Sequence, residues 1–86
     1  MATTVLSVSE EWTAEGRYTA ASAVDILLSN TQGGVQRFLI TTDDTIPAPK
    51  PAEVHPLEPR EKIPMQLNAG ERLWVAGDVG KAAVEE

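Results

Sequence analysis

Apolar and polar residues alternate along several short stretches of this chain, and a period of two predicts strands with one buried face. The clearest stretch is residues 62–68, in which Ile63, Met65 and Leu67 alternate with proline or polar residues. Pro64 cannot donate a hydrogen bond to a neighbouring strand. We therefore expect this strand at the edge of a sheet, or with Pro64 turned to solvent.

Turn-forming residues separate this strand from two further strands towards the C-terminus. Residues 68–70 predict a turn, residues 71–76 a strand, residues 77–80 a second turn and residues 81–84 a last short strand. Three strands joined by tight turns predict a meander or consecutive hairpins.

The first half of the chain follows the same pattern. Residues 23–29 and 35–42 predict strands, and the segment Asn30–Gly34 between them is rich in residues that tolerate positive φ. The pair therefore predicts a hairpin with a moderate loop. A helix over residues 20–29 is the alternative, but β-branched residues on its flanks and the lack of a capping pair favour strand.

Proline is concentrated in one region. All six prolines lie between Pro47 and Pro64. Proline at this density disfavours helix and ladder alike and favours extended polyproline II conformation. Residues 46–60 are therefore expected to form an arm that crosses from one sheet to the other.

The strand pattern as a whole predicts one all-β domain over residues 1–86. Residues 3–9 and 11–18 are expected to supply one or two further strands. The predicted fold is a small antiparallel β-sandwich or barrel of six to seven short strands, with the proline-rich connecting arm at residues 46–60.

Charge and composition narrow the classes of partner. Seven basic residues stand against thirteen acidic ones, and the net charge of −6 argues against a nucleic-acid partner. No apolar run is long enough to span a bilayer, and the N-terminus lacks the features of a signal peptide, so we expect synthesis in a cytoplasm and no membrane partner. Without cysteine, a domain this short often gains stability by forming oligomers.

Few residues are candidates for chemistry. His55 is the single histidine, and a structural zinc site would need cysteine or further histidine. Asp43 and Asp44 follow a predicted strand and are more typical of turn formers than of metal ligands. The sequence therefore predicts no enzyme, no metal site and no cofactor.

The aromatic residues leave an alternative open. Exposed Trp12, Tyr18 or Trp74 could stack on sugar rings, as in a carbohydrate-binding module, whereas core packing is the default for Trp12 and Phe38.

Large apolar residues also fall on predicted outer faces. Alternation puts Leu73 and Val75 on one face of their strand and Trp74 on the other, and Leu27 and Leu39 are placed outward in the same way. Either the N-terminal segment or the proline arm covers them, or they contact another protein. The predicted interface residues are Leu27, Arg37, Leu39, Arg72 and Trp74.

Two stretches of the chain carry a family resemblance. Residues 67–84, preceded by residues 25–30, resemble small β-sandwich proteins and spike modules of tailed bacteriophage virions. The aligned positions are Gly70, Glu71, Leu73, Trp74, Gly80, Ala82 and Val84.

The resemblance implies a head decoration, or cement, protein on the capsid surface of a virion. Such a protein is expected to form dimers or trimers with itself and to bind the major capsid protein. A carbohydrate- or receptor-binding module and a head–tail or tail accessory protein are the alternatives.

Overall fold

The computed structural model describes residues 3–47 and 54–86, and its architecture is all-β. Eight strands form two four-stranded antiparallel sheets, so the predicted antiparallel β-sandwich is confirmed, with eight strands rather than six or seven. One 3-10 turn, Ala14–Gly16, precedes the second strand. The strands are β1 (Thr3–Val8), β2 (Arg17–Thr19), β3 (Val24–Asn30), β4 (Gln36–Thr41), β5 (His55–Leu57), β6 (Lys62–Leu67), β7 (Arg72–Gly77) and β8 (Gly80–Glu85).

The strands pair as a long hairpin that has been rolled up. Sheet 1 has the order β1-β8-β3-β6 and sheet 2 the order β2-β7-β4-β5. The nested pairs are β1 with β8, β2 with β7, β3 with β6 and β4 with β5, all antiparallel. Rolling this hairpin adds the pairs β3 with β8 and β4 with β7. Eight strands ordered in this way form a jelly roll.

The order of the sheets corrects two predictions. The chain changes sheet at every connection except the one between β4 and β5. The predicted hairpin around Asn30–Gly34 and the predicted meander of the last three strands are therefore wrong. Turn chemistry fixes where the chain reverses, but the partner of each strand is set by burial of its apolar face against the opposite sheet.

The proline-rich region contains a strand of its own. His55–Leu57 forms β5 and pairs with Gln36–Phe38 of β4, although proline was expected to exclude a ladder here. The ladder is possible because β5 is short and lies at the edge of sheet 2. Residues 48–53 of the predicted arm lie outside the described residues. Pro64 is exposed on β6, which is an edge strand as predicted.

Two further predictions concern strands in the first half of the chain. Residues 24–30 are a strand, as preferred over the helical alternative. The predicted strand at residues 11–18 is largely absent, because the chain forms a loop and the 3-10 turn there before β2 begins at Arg17. No helix among the described residues is long and apolar enough to cross a membrane.

The core lies between the inner faces of the two sheets. Its fully buried side chains come from both sheets, and Phe38 is among the buried residues, as predicted. Ile40 lies opposite the core residue Leu73, on the inner face of β4, but it is 40% exposed near the end of its strand. The largest side chains of the core with no exposed surface are Leu28, Leu57, Leu67, Leu73 and Val84.

A cluster of polar contacts closes one end of the sandwich around Asn30, which is 2% exposed. The Asn30 Nδ2 group donates to the carbonyl oxygens of Gly34 (2.8 Å), Leu57 (3.1 Å) and Glu58 (3.2 Å). Its Oδ1 accepts from the Gln32 amide at 2.8 Å. One side chain thus joins the β3–β4 loop to the end of β5. We call these contacts the Asn30 clasp.

Candidate functional site

Four of the five predicted interface residues meet on the outer face of sheet 2. In the register of β4 and β7, Leu39 lies opposite Trp74 and Arg37 lies opposite Ala76. Arg72 lies one step further along the same face of β7, opposite Thr41. These strands lie far apart in sequence, so only the pairing of β4 with β7 brings the residues together.

Leu27 does not belong to this group. It lies on β3, opposite Pro64 of β6 and Glu85 of β8, in the other sheet. Its neighbours along the strand, Ile26 and Leu28, are in the core, so Leu27 faces outward from sheet 1, as its strand position predicted.

Trp74 faces outward but is covered by the protein itself. Leu73 and Val75 belong to the core cluster and Trp74 does not, which confirms the predicted alternation. Nevertheless Trp74 is only 1% exposed and Leu39 only 5%. Of the two accounts of these outward residues, cover by the chain's own residues therefore applies to this pair.

Two contacts hold the indole of Trp74. Its Nε1 donates to Oγ1 of Thr41 at 2.8 Å. The guanidinium carbon of Arg17 lies 5.3 Å from the ring centroid, within the range of a cation–π contact. The indole is thus buried with its one polar group satisfied, and it offers no free face to a ligand.

Asp44 links two arginines at one side of this tryptophan. Its Oδ1 lies 2.8 Å from Nε of Arg72 and 3.4 Å from Nη1 of Arg17. The hydrogen bond from Arg72, followed by the charges of both arginines, lowers the pKa of the Asp44 carboxyl below its ordinary value. Arg72 also donates to the carbonyl oxygens of Thr42 and Gly70. The segment after β4 is therefore tied to the face of sheet 2.

Trp12 and Arg37 form a second stacked pair on this side of the molecule. The guanidinium carbon of Arg37 lies 5.2 Å from the centroid of the Trp12 ring, and Arg37 donates to the carbonyl oxygen of Glu10. Trp12 is half-buried and lies outside the core cluster, so its predicted core packing is wrong. The β1–β2 loop, in which it lies, is held against the sheet by Arg37.

We call the six residues of these contacts the arginine–tryptophan patch: Trp12, Arg17, Arg37, Asp44, Arg72 and Trp74. The sequence pattern did not place Arg17 or Asp44 beside Trp74, since Arg17 meets Trp74 only through the pairing of β2 with β7. The alternation of Arg17, Tyr18 and Thr19 could have indicated that Arg17 faces outward. The patch joins two loops to one sheet, and its chemistry is that of packing and ion pairing.

The other titratable candidates are dispersed. His55 is exposed in β5, with its ring 5.4 Å from that of Phe38. Asp43 Oδ1 accepts from the Thr45 amide at 3.0 Å, which confirms its predicted role as a turn former. Tyr18 faces the core, and burial, followed by the nearby Glu86 carboxylate, raises its pKa. Among residues 3–47 and 54–86, no group of three or more acidic or histidine side chains is placed to hold a metal ion.

The outer face of sheet 1 carries several apolar side chains among polar and charged ones. Val5 lies opposite Ala83, and Leu27 lies opposite Pro64. Val5 is 60% exposed, Pro64 is exposed, and Leu27 and Ala83 are half-buried. These four residues form a discontinuous apolar stripe across all four strands, which we call the sheet 1 stripe.

Comparison of the chain with protein-family models, with curated proteins and with solved structures found no match.

Proposed function

We propose that the protein is a non-enzymatic structural component of a phage virion that binds the outside of the capsid and associates with itself. The observation that carries the proposal is the jelly-roll strand order, an architecture that recurs in viral capsid proteins and lectins. The resemblance of residues 67–84 to small virion proteins supports the same assignment. Because one fold serves many functions, the proposal also needs a surface suited to assembly.

The sheet 1 stripe supplies such a surface. Leu27 lies on β3, one of the two inner strands of sheet 1, beside Pro64 of β6. When a partner removes apolar residues of this kind from water, the free energy of the system falls, which favours binding. Contact with the capsid through this face is therefore the mechanism we propose.

Trp74 and Leu39 were predicted from the sequence to be interface residues, but in this proposal they do not contact the partner. Both are buried by the chain's own residues, so they stabilise the arginine–tryptophan patch instead of anchoring a partner. The exposed atoms of Arg37 and Arg72 remain available at the rim of a contact.

Carbohydrate binding is less well supported. A sugar ring stacks on an exposed aromatic face. Tyr18 and Trp74 are buried, and the half-buried Trp12 is stacked on Arg37.

Immunogold electron microscopy of phage particles, purified from the host that carries the gene, tests the proposal. We expect gold on the capsid of intact particles and the protein among their mass-spectrometric components. Replacement of Leu27 by aspartate should release the protein from particles. The matched change Val79→Asp, at an exposed turn residue, should leave binding intact. Particles without the protein would overturn the assignment.

A further inference from the structure

Two arginines from different strands converge on one carboxylate oxygen at the outer face of sheet 2. Oδ1 of Asp44 lies 2.8 Å from Nε of Arg72 and 3.4 Å from Nη1 of Arg17. The two arginines lie on β7 and β2, which are neighbouring strands. A carboxylate at the point where they converge is attracted by two guanidinium groups at once, and charge-assisted hydrogen bonds of this kind are strong.

Both guanidinium groups are held by contacts that do not depend on Asp44. The guanidinium of Arg17 is stacked on the indole of Trp74, and Arg72 donates to the carbonyl oxygen of Gly70. The side chains of Arg17 and Arg72 are only 24% and 21% exposed. The two arginines therefore keep their positions when Asp44 leaves.

Asp44 reaches the arginines from a segment that is itself exposed. Residues 42–46 follow β4, and each of them is exposed. Polar contacts join the segment to the sheet: Asp44 and the carbonyl oxygen of Thr42 contact the arginines, and the carbonyl oxygen of Asp43 accepts from the hydroxyl of Thr41. Exposed ion pairs contribute little to stability, so the segment separates easily from the sheet.

The face around this site is locally basic, although the chain has a net charge of −6. Alternation along the strands gives nine outward positions on sheet 2, which carry three arginines and no acidic residue: Arg17, Thr19, Arg37, Leu39, Thr41, Pro56, Arg72, Trp74 and Ala76. Asp44 comes from the segment after β4 and not from a strand position. An acidic group that approaches this face is therefore attracted by the charges of the strands.

We propose that Arg17 and Arg72 form a binding site for a carboxylate, which Asp44 fills within the molecule and in which an acidic side chain of a partner protein replaces it. On replacement, the incoming carboxylate lies between the same two guanidinium groups, and residues 42–46 leave the face of sheet 2. This face is on the opposite side of the sandwich from the sheet 1 stripe. A partner bound here therefore makes a second contact, separate from the proposed contact with a capsid.

The present occupant of the site identifies the chemistry of the ligand. The planar donor fork of arginine matches the geometry of a carboxylate. The side chain of Asp44 is 57% exposed, so the site is open to solvent on one side and an external side chain can approach it.

Competition with Asp44 sets the affinity for an external carboxylate. Asp44 belongs to the same chain, so its effective concentration at the site is high. Its two partly exposed ion pairs favour the filled state by roughly tenfold. Removal of Asp44 should therefore strengthen the binding of an external carboxylate by about the same factor.

Chemical rescue tests whether the site accepts an external carboxylate. Asp44→Ala empties the site, and sodium acetate should then raise the Tm of this variant by a few degrees relative to sodium chloride at the same ionic strength. Asp44→Asn is the matched control, because its amide still fills the site. A rise in Tm that is equal in the two variants, or absent from Asp44→Ala, would overturn the proposal.

An acidic peptide tests whether a protein side chain can replace Asp44. Tetraglutamate is titrated into each variant at constant ionic strength, and the indole N–H signal of Trp74, which lies beside Arg17, is followed by NMR. We expect Asp44→Ala to bind the peptide about tenfold more tightly than wild type does. The double variant Asp44→Ala with Arg72→Gln should lose this binding.

Two results of the titration would contradict the site. Equal affinity of wild type and Asp44→Ala would show that Asp44 does not compete for it. Undiminished binding by the double variant would show that Arg72 does not hold the ligand. Both experiments use the isolated protein without phage particles, so their outcome does not depend on the virion assignment.

Discussion

Replacement of Asn30 tests whether the Asn30 clasp fixes the end of the sandwich. Alanine at this position removes donors to three carbonyl oxygens and the acceptor for the Gln32 amide. A net hydrogen bond contributes about 1 kcal/mol, and a buried polar group left without a partner costs about 1–3 kcal/mol. Some of the freed carbonyl groups regain water, so we expect a loss of about 2–4 kcal/mol in the free energy of unfolding.

The loss is measured by urea denaturation, with the combined fluorescence of Trp12 and Trp74 as the probe. For a domain of this size, each kcal/mol corresponds to a fall of about 4–8 °C in Tm. Asn68→Ala is the matched control, because Asn68 is exposed in the β6–β7 turn. A cost below about 0.5 kcal/mol for Asn30→Ala, close to the usual range for surface changes, would refute the reasoning.

Asn30→Asp separates hydrogen bonding from side-chain volume. The aspartate has nearly the same shape, but its carboxylate would face the carbonyl oxygens of Gly34, Leu57 and Glu58. Burial raises the pKa of such a group in the folded state, so the folded protein binds the extra proton more strongly. Its deficit relative to wild type should therefore be largest at neutral pH and smaller at acidic pH. A deficit independent of pH would contradict this explanation.

Three further predictions concern the patch and the turns. Trp74→Phe should cost about 1–3 kcal/mol in urea denaturation, because it removes the donor to Thr41 and leaves a cavity, and an unchanged midpoint would contradict this. Asp44→Asn should lower stability at neutral pH. The pKa of Asp44 is lowered in the folded state, so its contribution is present above the ordinary value of 3.8 and lost as the pH falls through the lowered value. The wild-type and Asp44→Asn curves should therefore converge in acid, and a constant gap would count against the ion pairs. Gly77→Ala should be clearly destabilising in a thermal melt, since φ is +126° and the new Cβ would lie 2.8 Å from Cα of Gln36, whereas Gly33→Ala, which meets open space, should be tolerated.

The strands of this fold could be predicted from the sequence, but their partners could not. Alternation placed Ile63, Met65 and Leu67 on the inner face of β6 and Leu73 and Val75 in the core, because the side-chain period of a strand depends only on local geometry. The residues Asn30–Gly34 predict a reversal of the chain. Such a reversal is compatible both with a hairpin and with a crossing between the two sheets. The choice of the crossing depends on contacts with β6, β7 and β8, which lie far along the chain.

The candidate site shows the same division. Sequence reasoning put Trp74, Leu39, Arg37 and Arg72 on outer faces, and the pairing of β4 with β7 brings them together. The cover over Trp74 could not be predicted, because Arg17 reaches the indole only through the pairing of β2 with β7. An outward position therefore did not mean an exposed one.

Contact with the capsid through the sheet 1 stripe is the central claim, and co-sedimentation with purified phage particles tests it most directly. Wild-type protein, Leu27→Asp and Val79→Asp are each mixed with particles that lack the protein, and the bound fraction is measured after the particles are pelleted. The account predicts that wild type and Val79→Asp pellet with the particles, because Val79 lies in an exposed turn outside the stripe, whereas Leu27→Asp stays in solution. Equal pelleting of the two variants would contradict the account.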